Sequence, residues 1–294
     1  MARRFYTLDV FTDRALAGNP LAVVIDADGL DTTAMQAIAR EFNLSETVFV
    51  FEPRDPVNTA ALRIFTPTRE LPFAGHPTIG TACLLAHLRE PALLAAQDLR
   101  IVLEEQIGEV VCVARHRRGA ELASYFTLPR LPAKAGDAPT AAALAKTLGI
   151  AAGEIGFGHH APTVFSAGVP YLFVPLASQD AVARTRAFDA PLGDLPLYVY
   201  CRDSTSPEAH YHARMLGGFG ISEDPATGSA AAAFAGVVMA YEPPGDGDHM
   251  LMIEQGVEMG RPSLISLGMV VEGGQLQSAT IGGSAVIVSE GKLL

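Results

Sequence analysis

Two segments of this sequence resemble each other, and this internal repeat constrains the fold more than any other feature. Placing Gly75 on Gly228, an offset of 153 residues (228 − 75), aligns "LPFAGHPTIGTA" with "DPATGSAAAAFA", so that His76 falls on Ser229. In both segments a glycine stands at the start of an apolar run that is typical of a buried helix. We therefore predict two similar halves, each containing a strand, a glycine-containing loop and a helix. The alternative is two unrelated helix starts of similar composition.

The length of the chain fits this division, because 294 residues are enough for two domains that each bury a core. The proline-rich stretch "PRLPAKAGDAPT" interrupts the strand pattern in the middle of the sequence. We predict an N-terminal half over residues 1–118 and a C-terminal half over residues 119–294, with the last strand able to cross to the N-terminal half.

Charge and cysteine content exclude several classes of function. The net charge of -11 disfavours binding to nucleic acid or to an anionic membrane, so a small molecule is the expected partner. Cys83, Cys112 and Cys201 are widely spaced and odd in number, which supports neither a disulfide framework nor a zinc site. With no apolar run long enough to span a bilayer, we expect a cytoplasmic, soluble protein with reduced thiols and no metal.

The local patterns predict many strands and few helices. The clearest helix follows Asp31 or Thr32, carries apolar side chains at three- and four-residue steps, and ends at Asn43. Strands are predicted before it over residues 5–12 and 21–25 and after it over residues 47–51. The expected fold class is α+β, with mixed sheets wrapped around a few helices.

The glycines at the two helix starts suggest a site for an anion. A glycine lets the backbone approach a ligand closely, and the first N–H groups of a helix have no partner within the helix. Helix starts at Gly75 and Gly228 could hold a carboxylate and stabilise negative charge that develops when a carbon loses a proton. Phosphate is the competing anion, but the sequence has neither Gly-Lys-Ser/Thr nor a GxGxxG after a strand.

Three titratable residues are candidates for proton transfer, and each also has an ordinary structural interpretation. Glu46 lies between a helix end and an apolar strand, where partial burial would suit it to acid/base chemistry, but it could be an exposed residue at a strand start. Asp224 precedes a proline and could orient a substrate or simply form a turn. His76 is compatible with any helix start of the His-Pro type.

Two other patterns are weaker. His210 and His212 are two residues apart on a predicted strand, which is a spacing found among metal ligands, but no third ligand can be identified. Ser229 has no surrounding G-x-S-x-G and no obvious histidine and aspartate partners, so a serine hydrolase is not indicated.

Five segments together resemble the PhzF-like proteins of phenazine biosynthesis, which are related in fold to diaminopimelate epimerase. They are "AGNPLAVV", "AREFNLSETVFVF", "RIFTPTRELPFAGHPTIGTA", "EDPATGSAAAA" and "QGVEMGRPSL", and they occur in the order of the family over most of the chain. The resemblance implies two halves, each a rolled, barrel-like sheet around a central helix, with an active site in the cleft between them and commonly a homodimer.

The resemblance also implies an activity. The family members are cofactor-independent isomerases that move a proton between carbons of a small cyclic substrate bearing a carboxylate, by general acid/base catalysis. Transferred to this sequence, Glu46 would carry the proton, and His76 and Asp224 would contact the substrate and assist. Ser229 and the backbone around Gly75 and Gly228 would bind the carboxylate.

Two alternatives remain open on the sequence. Related racemases use a cysteine at each helix start, but those positions are Gly75 and Gly228 here, so an epimerase or racemase would need bases other than cysteine. A protein that binds a small molecule without converting it would keep the same residues. The substrate itself does not follow from the fold.

Overall fold

The structure, a computed structural model, describes residues 2–117, 121–186, 195–217 and 222–294. The chain forms two compact units, the first made of Met1–Thr127 with Gly282–Leu294 and the second of Leu128–Ile281. The predicted boundary between residues 118 and 119 lies outside the described residues. The last segment of the chain belongs to the first unit.

The helices and strands follow one another as β1 (Arg3–Val10), β2 (Asn19–Val24), α1 (Thr32–Phe42), β3 (Glu46–Phe51), β4 (Ala60–Phe65), β5 (Glu70–Leu71), α2 (Gly75–Arg89), α3 (Pro91–Ala96), β6 (Leu99–Glu105), β7 (Gly108–Arg117), β8 (Glu121–Thr127), β9 (Ala133–Lys134), α4 (Ala141–Leu148), β10 (Thr163–Ser166), β11 (Pro170–Pro175), α5 (Gln179–Arg184), β12 (Leu197–Cys201), β13 (Tyr211–Leu216), β14 (Glu223–Asp224), α6 (Gly228–Tyr241), β15 (Gly247–Gln255), β16 (Ser263–Glu272) and β17 (Gln275–Leu293).

In the first unit eight strands close into a barrel. The pairing runs β1–β2–β3–β4–β6–β7–β8 and returns to β1 through β17, with parallel pairs at β2–β3 and β4–β6. Helix α2 contacts six of these strands, and every residue from Gly75 to Ala86 is buried. A helix that is buried on all sides belongs in the centre of a core, and α2 is therefore the central helix of this barrel.

The second unit repeats this order of pairing. Strands β10–β11–β12–β13–β15–β16 pair in sequence, again with two parallel pairs, at β11–β12 and β13–β15. Its buried helix is α6, which packs so tightly that a Cβ on Gly236 would lie 2.4 Å from the ring of Phe165. The predicted pair of similar halves, each a mixed sheet around a central helix, is confirmed.

An ion pair recurs at the same place in both units and supports the repeat. Arg63 on β4 binds Glu70 on the short strand β5, and Arg214 on β13 binds Glu223 on β14. Each pair ties the strand before the central helix to the loop that leads into the helix. Gly75 and Gly228 are the first residues of α2 and α6, as the alignment of the two segments requires.

Helix α1 follows the prediction from local sequence closely. The Asp31 carboxylate accepts a hydrogen bond from the backbone N–H of Ala34 at 2.7 Å, and Asn43 ends the helix in the left-handed conformation. Met35 and Ala39 are buried against β2 and β3, which places the predicted apolar face in the core.

Candidate active site

Glu46 is the first residue of β3, and the register of the sheet decides what lies beside it. It pairs with Leu21 on the parallel strand β2, so its side chain stands close to the start of that strand at Asn19 and Pro20. The side chain is 16% exposed. Of the two interpretations of the sequence, the structure supports a largely enclosed carboxyl group rather than an exposed strand-entry residue.

His76 is the second residue of α2 and lies next to Glu46. Its Nε2 is 3.3 Å from Oε2 of Glu46, and the imidazole is 6% exposed. Burial lowers the pKa of His76 to about 3, against a smaller opposite effect from a hydrogen bond to the carbonyl of Pro20. The ring is therefore neutral near neutral pH, and it lies at the same end of β2 as Glu46.

The arrangement of Glu46 and His76 leaves room for one proton between them. A neutral imidazole has one N–H, and the Pro20 carbonyl accepts it, while Nε2 faces Glu46. Nε2 is then an acceptor, and a carboxylate beside it would bring two acceptors together. A proton taken up by Glu46 can be shared with Nε2 of His76, so the pair is suited to accepting and releasing a single proton.

Asp224 lies in the second unit, at the end of β14, and only 9% of the residue is exposed. Its Oδ2 accepts a hydrogen bond of 2.6 Å from the hydroxyl of Thr227, the residue that immediately precedes α6. The carboxyl is therefore held within a hydrogen-bonded loop, which is more specific than the simple turn residue that the sequence allowed.

Ser229 is the second residue of α6, the position that His76 occupies in α2. Its hydroxyl lies 2.6 Å from the hydroxyl of Tyr171, a buried residue of β11. Neither central helix has a side chain that caps its N-terminus, since Ala74 precedes α2 and the hydroxyl of Thr227 is directed to Asp224. Uncapped helix starts are able to bind anions.

The cysteines do not form a pair of bases. Cys83 lies within α2, Cys112 on β7 and Cys201 at the end of β12, and all three are free and buried. Burial raises the pKa of each thiol, to about 12 for Cys201 and further for the other two. Thiols of this kind are poor bases near neutral pH, in agreement with the sequence argument against a two-thiol racemase.

His212, one of the two histidines with metal-ligand spacing, has another role. His212 is fully buried, with Nδ1 2.7 Å from Glu254 and Nε2 2.8 Å from Glu258. Burial alone would lower the pKa of His212, but the two carboxylates raise it to about 9. The imidazole is thus a buried cation between two anions. Among the residues that the structure describes, no group of three potential ligands is arranged to hold a metal ion.

Glu105 is a buried carboxyl group that sequence reasoning did not identify. Its Oε1 is 2.7 Å from the hydroxyl of Thr78, in the first turn of α2, and that hydroxyl is also 2.8 Å from the carbonyl of Ala74. The Thr78 hydroxyl donates to Oε1 of Glu105 and lies within reach of the Ala74 carbonyl as well, so this single donor is shared between two acceptors. Burial raises the pKa of Glu105 to about 8, against a smaller opposite effect of the hydrogen bond from Thr78.

This carboxyl should make the stability of the protein depend on pH. Because its pKa rises from 4.5 to about 8 on folding, the folded state binds more protons than the unfolded chain in that window. The free energy of unfolding therefore falls as the pH rises through it, by on the order of a few kcal/mol. Glu105→Gln, which mimics the protonated acid, should remove this loss and raise the melting temperature above wild type at about pH 8.5 but not at about pH 5.

The neighbouring residue provides a contrasting variant for thermal unfolding measurements. Glu104 accepts hydrogen bonds from the backbone N–H of Asp55, from Asn58 and from Arg54, which lower its pKa to about 2. Its stabilising effect is present above pH 4.5 and is lost as the pH falls through the folded pKa. Glu104→Gln should therefore destabilise the protein at neutral and alkaline pH. The assignment of a raised pKa to Glu105 would be contradicted if Glu104→Gln melted above wild type at alkaline pH. It would also be contradicted if Glu105→Gln did not.

A cavity of about 360 Å³ in the second unit is separate from these residues. Its wall includes Arg202, Tyr211 and Glu242, and none of the six predicted site residues lines it. Glu242 is bound by both of the other two side chains, so these three polar groups of the cavity bind one another.

The fold defines the class of this protein, which is that of the diaminopimelate epimerase-like proteins. Central helices with uncapped starts and a buried carboxyl–imidazole pair are appropriate for proton transfer at carbon. The fold is shared with more distant epimerase and racemase structures, and the predicted diaminopimelate epimerase-like fold is confirmed. Within the described residues, none of the helices has the length and apolar character needed to cross a membrane.

The family follows from direct comparison. The family model described as phenazine biosynthesis-like protein matches residues 8–291, and the chain belongs to this family. It is 49% identical, over 99% of its length and 98% of the relative, to a protein of Mesorhizobium japonicum described as an uncharacterized isomerase. It is 33% identical, over 99% of both chains, to the trans-2,3-dihydro-3-hydroxyanthranilate isomerase of Pseudomonas chlororaphis.

A solved structure extends this similarity to three dimensions. The PhzF-family phenazine biosynthesis protein of Bacillus anthracis superposes with a TM-score of 0.86 at 26% identity, covering 100% of this chain and 99% of that one. The predictions of the family and of an enzyme of the isomerase class are confirmed by these relatives. The roles of individual residues remain predictions.

Proposed function

We propose that this protein is a cofactor-independent isomerase that moves a proton from one carbon to another within a small cyclic substrate bearing a carboxylate. The observation that carries the proposal is the pair formed by Glu46 and His76, whose facing atoms are 3.3 Å apart in a largely buried setting. A carboxyl group beside a neutral imidazole acceptor can accept a proton from carbon and return it without a metal or a second charged base.

The mechanism assigns one step to each group. Glu46 removes a proton from one carbon of the substrate and delivers it to another, while His76 is an acceptor that stabilises the protonated form of Glu46. Electron density moves onto the substrate when the proton leaves, and N–H groups at a helix start stabilise such charge. Gly75 and the first turn of α2 are proposed to provide this stabilisation.

The second unit is proposed to contribute binding and assistance. Asp224 is proposed to contact an amine or hydroxyl group of the substrate and to assist the proton shift. Gly228 and Ser229 are proposed to bind carboxylate oxygens, because a backbone N–H and a hydroxyl at a helix start are both suitable donors.

For the substrate we propose trans-2,3-dihydro-3-hydroxyanthranilate or a close analogue. Relatives that match almost the whole of this chain at 33–34% identity are isomerases of that compound. It carries a ring, a carboxylate, an amine and a hydroxyl, which are the groups that the proposed donors and acceptors would recognise.

We also propose a homodimer, as the family resemblance implies, for which light scattering should give twice the mass of the chain.

Two substrates separate this proposal from its alternatives. The purified protein is incubated with trans-2,3-dihydro-3-hydroxyanthranilate, followed by NMR, and with trans-4-hydroxy-L-proline, followed by chiral chromatography. Conversion of the first and no epimerisation of the second is the expected result. Epimerisation of the second would favour an epimerase with other bases. Calorimetric binding of the first without conversion would indicate a binding protein.

A further inference from the structure

Gln255, the last residue of β15, lies within hydrogen-bonding distance of several groups that surround Asp224. Its Nε2 donates to the backbone carbonyl of Asp224 at 2.8 Å and to the hydroxyl of Thr227 at 3.0 Å. Its Oε1 accepts from the backbone N–H of Thr227 at 3.1 Å and from the hydroxyl of Tyr198 at 3.2 Å. The side chain is fully buried, so its amide is held in one orientation by four contacts.

This orientation decides where the proton of Thr227 points. Because Nε2 of Gln255 donates to the Thr227 hydroxyl, that hydroxyl acts there as an acceptor and its own proton is directed to Oδ2 of Asp224, 2.6 Å away. A threonine immediately before a helix usually caps the helix with its hydroxyl. Here no side-chain cap is made, and the hydroxyl holds the Asp224 carboxylate instead.

Strand register brings these residues together. Gln255 pairs with Ala213 across the parallel strands β13 and β15, and Asp224 pairs with Met215 farther along the same edge of β13, opposite β12. The chain then turns at Gly256, whose φ is +76° and where a Cβ would lie 2.5 Å from the carbonyl of Pro225. Because Gly256 lies this close to Pro225, the end of β15 packs directly against the loop that carries Asp224.

The first unit lacks this arrangement. The residue that ends β6, at the place of Gln255, is Glu105, and it contacts Thr78 inside α2. The residue before α2 is Ala74, which has no hydroxyl to direct. A carboxylate only accepts hydrogen bonds, whereas an amide supplies donors and an acceptor in a fixed arrangement, and the second unit has an amide beside the loop that carries Asp224.

We propose that Gln255 is a positioning residue for the isomerisation and that it fixes the Asp224 carboxylate through the hydroxyl of Thr227. This inference rests on the proposed function, since it assumes that Asp224 contacts the substrate. Misplacement of a supporting group by about 1 Å can cost about 100-fold in rate, although the group never touches the substrate.

The test uses four variants of the full chain and two readouts. Gln255→Met removes the amide, Thr227→Val removes the hydroxyl with little change of shape, and Thr227→Ser retains it. Gln179→Met, in which a glutamine bonded to Thr205 is changed in the same unit, is the matched control. Kinetics are measured with trans-2,3-dihydro-3-hydroxyanthranilate at a temperature where every variant is folded, and crystal structures of the same proteins give the position of the Asp224 carboxylate.

Gln255→Met and Thr227→Val should lower kcat about 10- to 100-fold while KM changes less than about threefold. Thr227→Ser should restore most of the activity, and Gln179→Met should behave as wild type. In the crystal structures the Asp224 carboxylate should turn away from its wild-type position in the first two variants only. Wild-type kcat in Thr227→Val, or a loss in Thr227→Ser equal to that in Thr227→Val, would overturn the proposal.

The two readouts distinguish failure of this inference from failure of the proposed function. If wild type does not convert the substrate, the proposed function fails and the crystal structures decide the positioning role alone. An Asp224 carboxylate that keeps its wild-type position in both Gln255→Met and Thr227→Val would then overturn the inference. A carboxylate that moves in both would support it independently of turnover.

Discussion

Glu46→Gln should reduce kcat/KM for the isomerisation at least about 100-fold and up to about 10,000-fold, which is the range expected for loss of a general acid/base. The amide retains the shape of the side chain but cannot take a proton from carbon. Because His76 is neutral near neutral pH, the substitution breaks no ion pair, and the amide can still donate to Nε2 of His76, so the melting temperature should stay close to wild type. Steady-state kinetics and thermal unfolding of the same sample measure both quantities.

Glu41→Gln is the matched control for this variant. Glu41 is an exposed residue of α1, so the same chemical change is made at a carboxyl outside the proposed site. It should leave kcat/KM unchanged within about twofold, because surface substitutions have small effects. Activity in Glu46→Gln comparable to that of the control would remove Glu46 from the mechanism, whereas loss of folding in Glu46→Gln would assign it a structural role.

The largest expected effect on stability is at Arg214, whose guanidinium is buried in the second unit. It makes a two-pronged pair with Glu223, and its Nη1 donates to the carbonyl oxygens of Val182, Ala183 and Thr185 near the end of α5. Arg214→Met would leave a largely buried carboxylate and three carbonyls without this donor. Breaking such a pair by removing one partner typically costs about 3–5 kcal/mol.

Arg63→Met tests the same contact at the corresponding place in the first unit. The side chains of Arg63 and Glu70 are 31% and 20% exposed, against 8% and 13% for Arg214 and Glu223. Water can therefore compensate for much of the loss, and we expect about 1 kcal/mol or less. Urea unfolding of the two variants gives the comparison. Equal losses would show that burial of Arg214 does not determine its contribution.

The sequence predicted those parts of the fold that depend on neighbouring residues. Helix α1 could be placed because Asp31, Asn43 and the apolar spacing between them act within one helix. The starts of α2 and α6 at Gly75 and Gly228 followed from the internal repeat. The two-residue strands β5 and β14 left no such pattern, since strands that short have no periodicity.

The supporting contacts of the candidate site could not be predicted for a related reason. Thr227 and Gln255 are 28 residues apart in the sequence, and Thr78 and Glu105 are 27 apart. Each contact is made only because parallel strands bring the end of one strand beside a helix start.

The side chain of His212 similarly contacts Glu254 and Glu258, which are more than 40 residues farther along the chain. Gln255 lies in "QGVEMGRPSL", one of the segments that carry the family resemblance, but that segment does not reveal its partners.

The central claim is that Glu46 carries a proton from one carbon of the substrate to another, and NMR in deuterium oxide tests it most directly. Wild type and Glu46→Gln are incubated with trans-2,3-dihydro-3-hydroxyanthranilate, and the carbon-bound protons of substrate and product are followed. We predict that wild type forms product, with solvent deuterium at the newly protonated carbon only to the extent that the proton held by Glu46 exchanges with solvent before it is returned, while Glu46→Gln gives neither product nor exchange. Exchange at the wild-type rate in Glu46→Gln, or no reaction in wild type, would contradict the account.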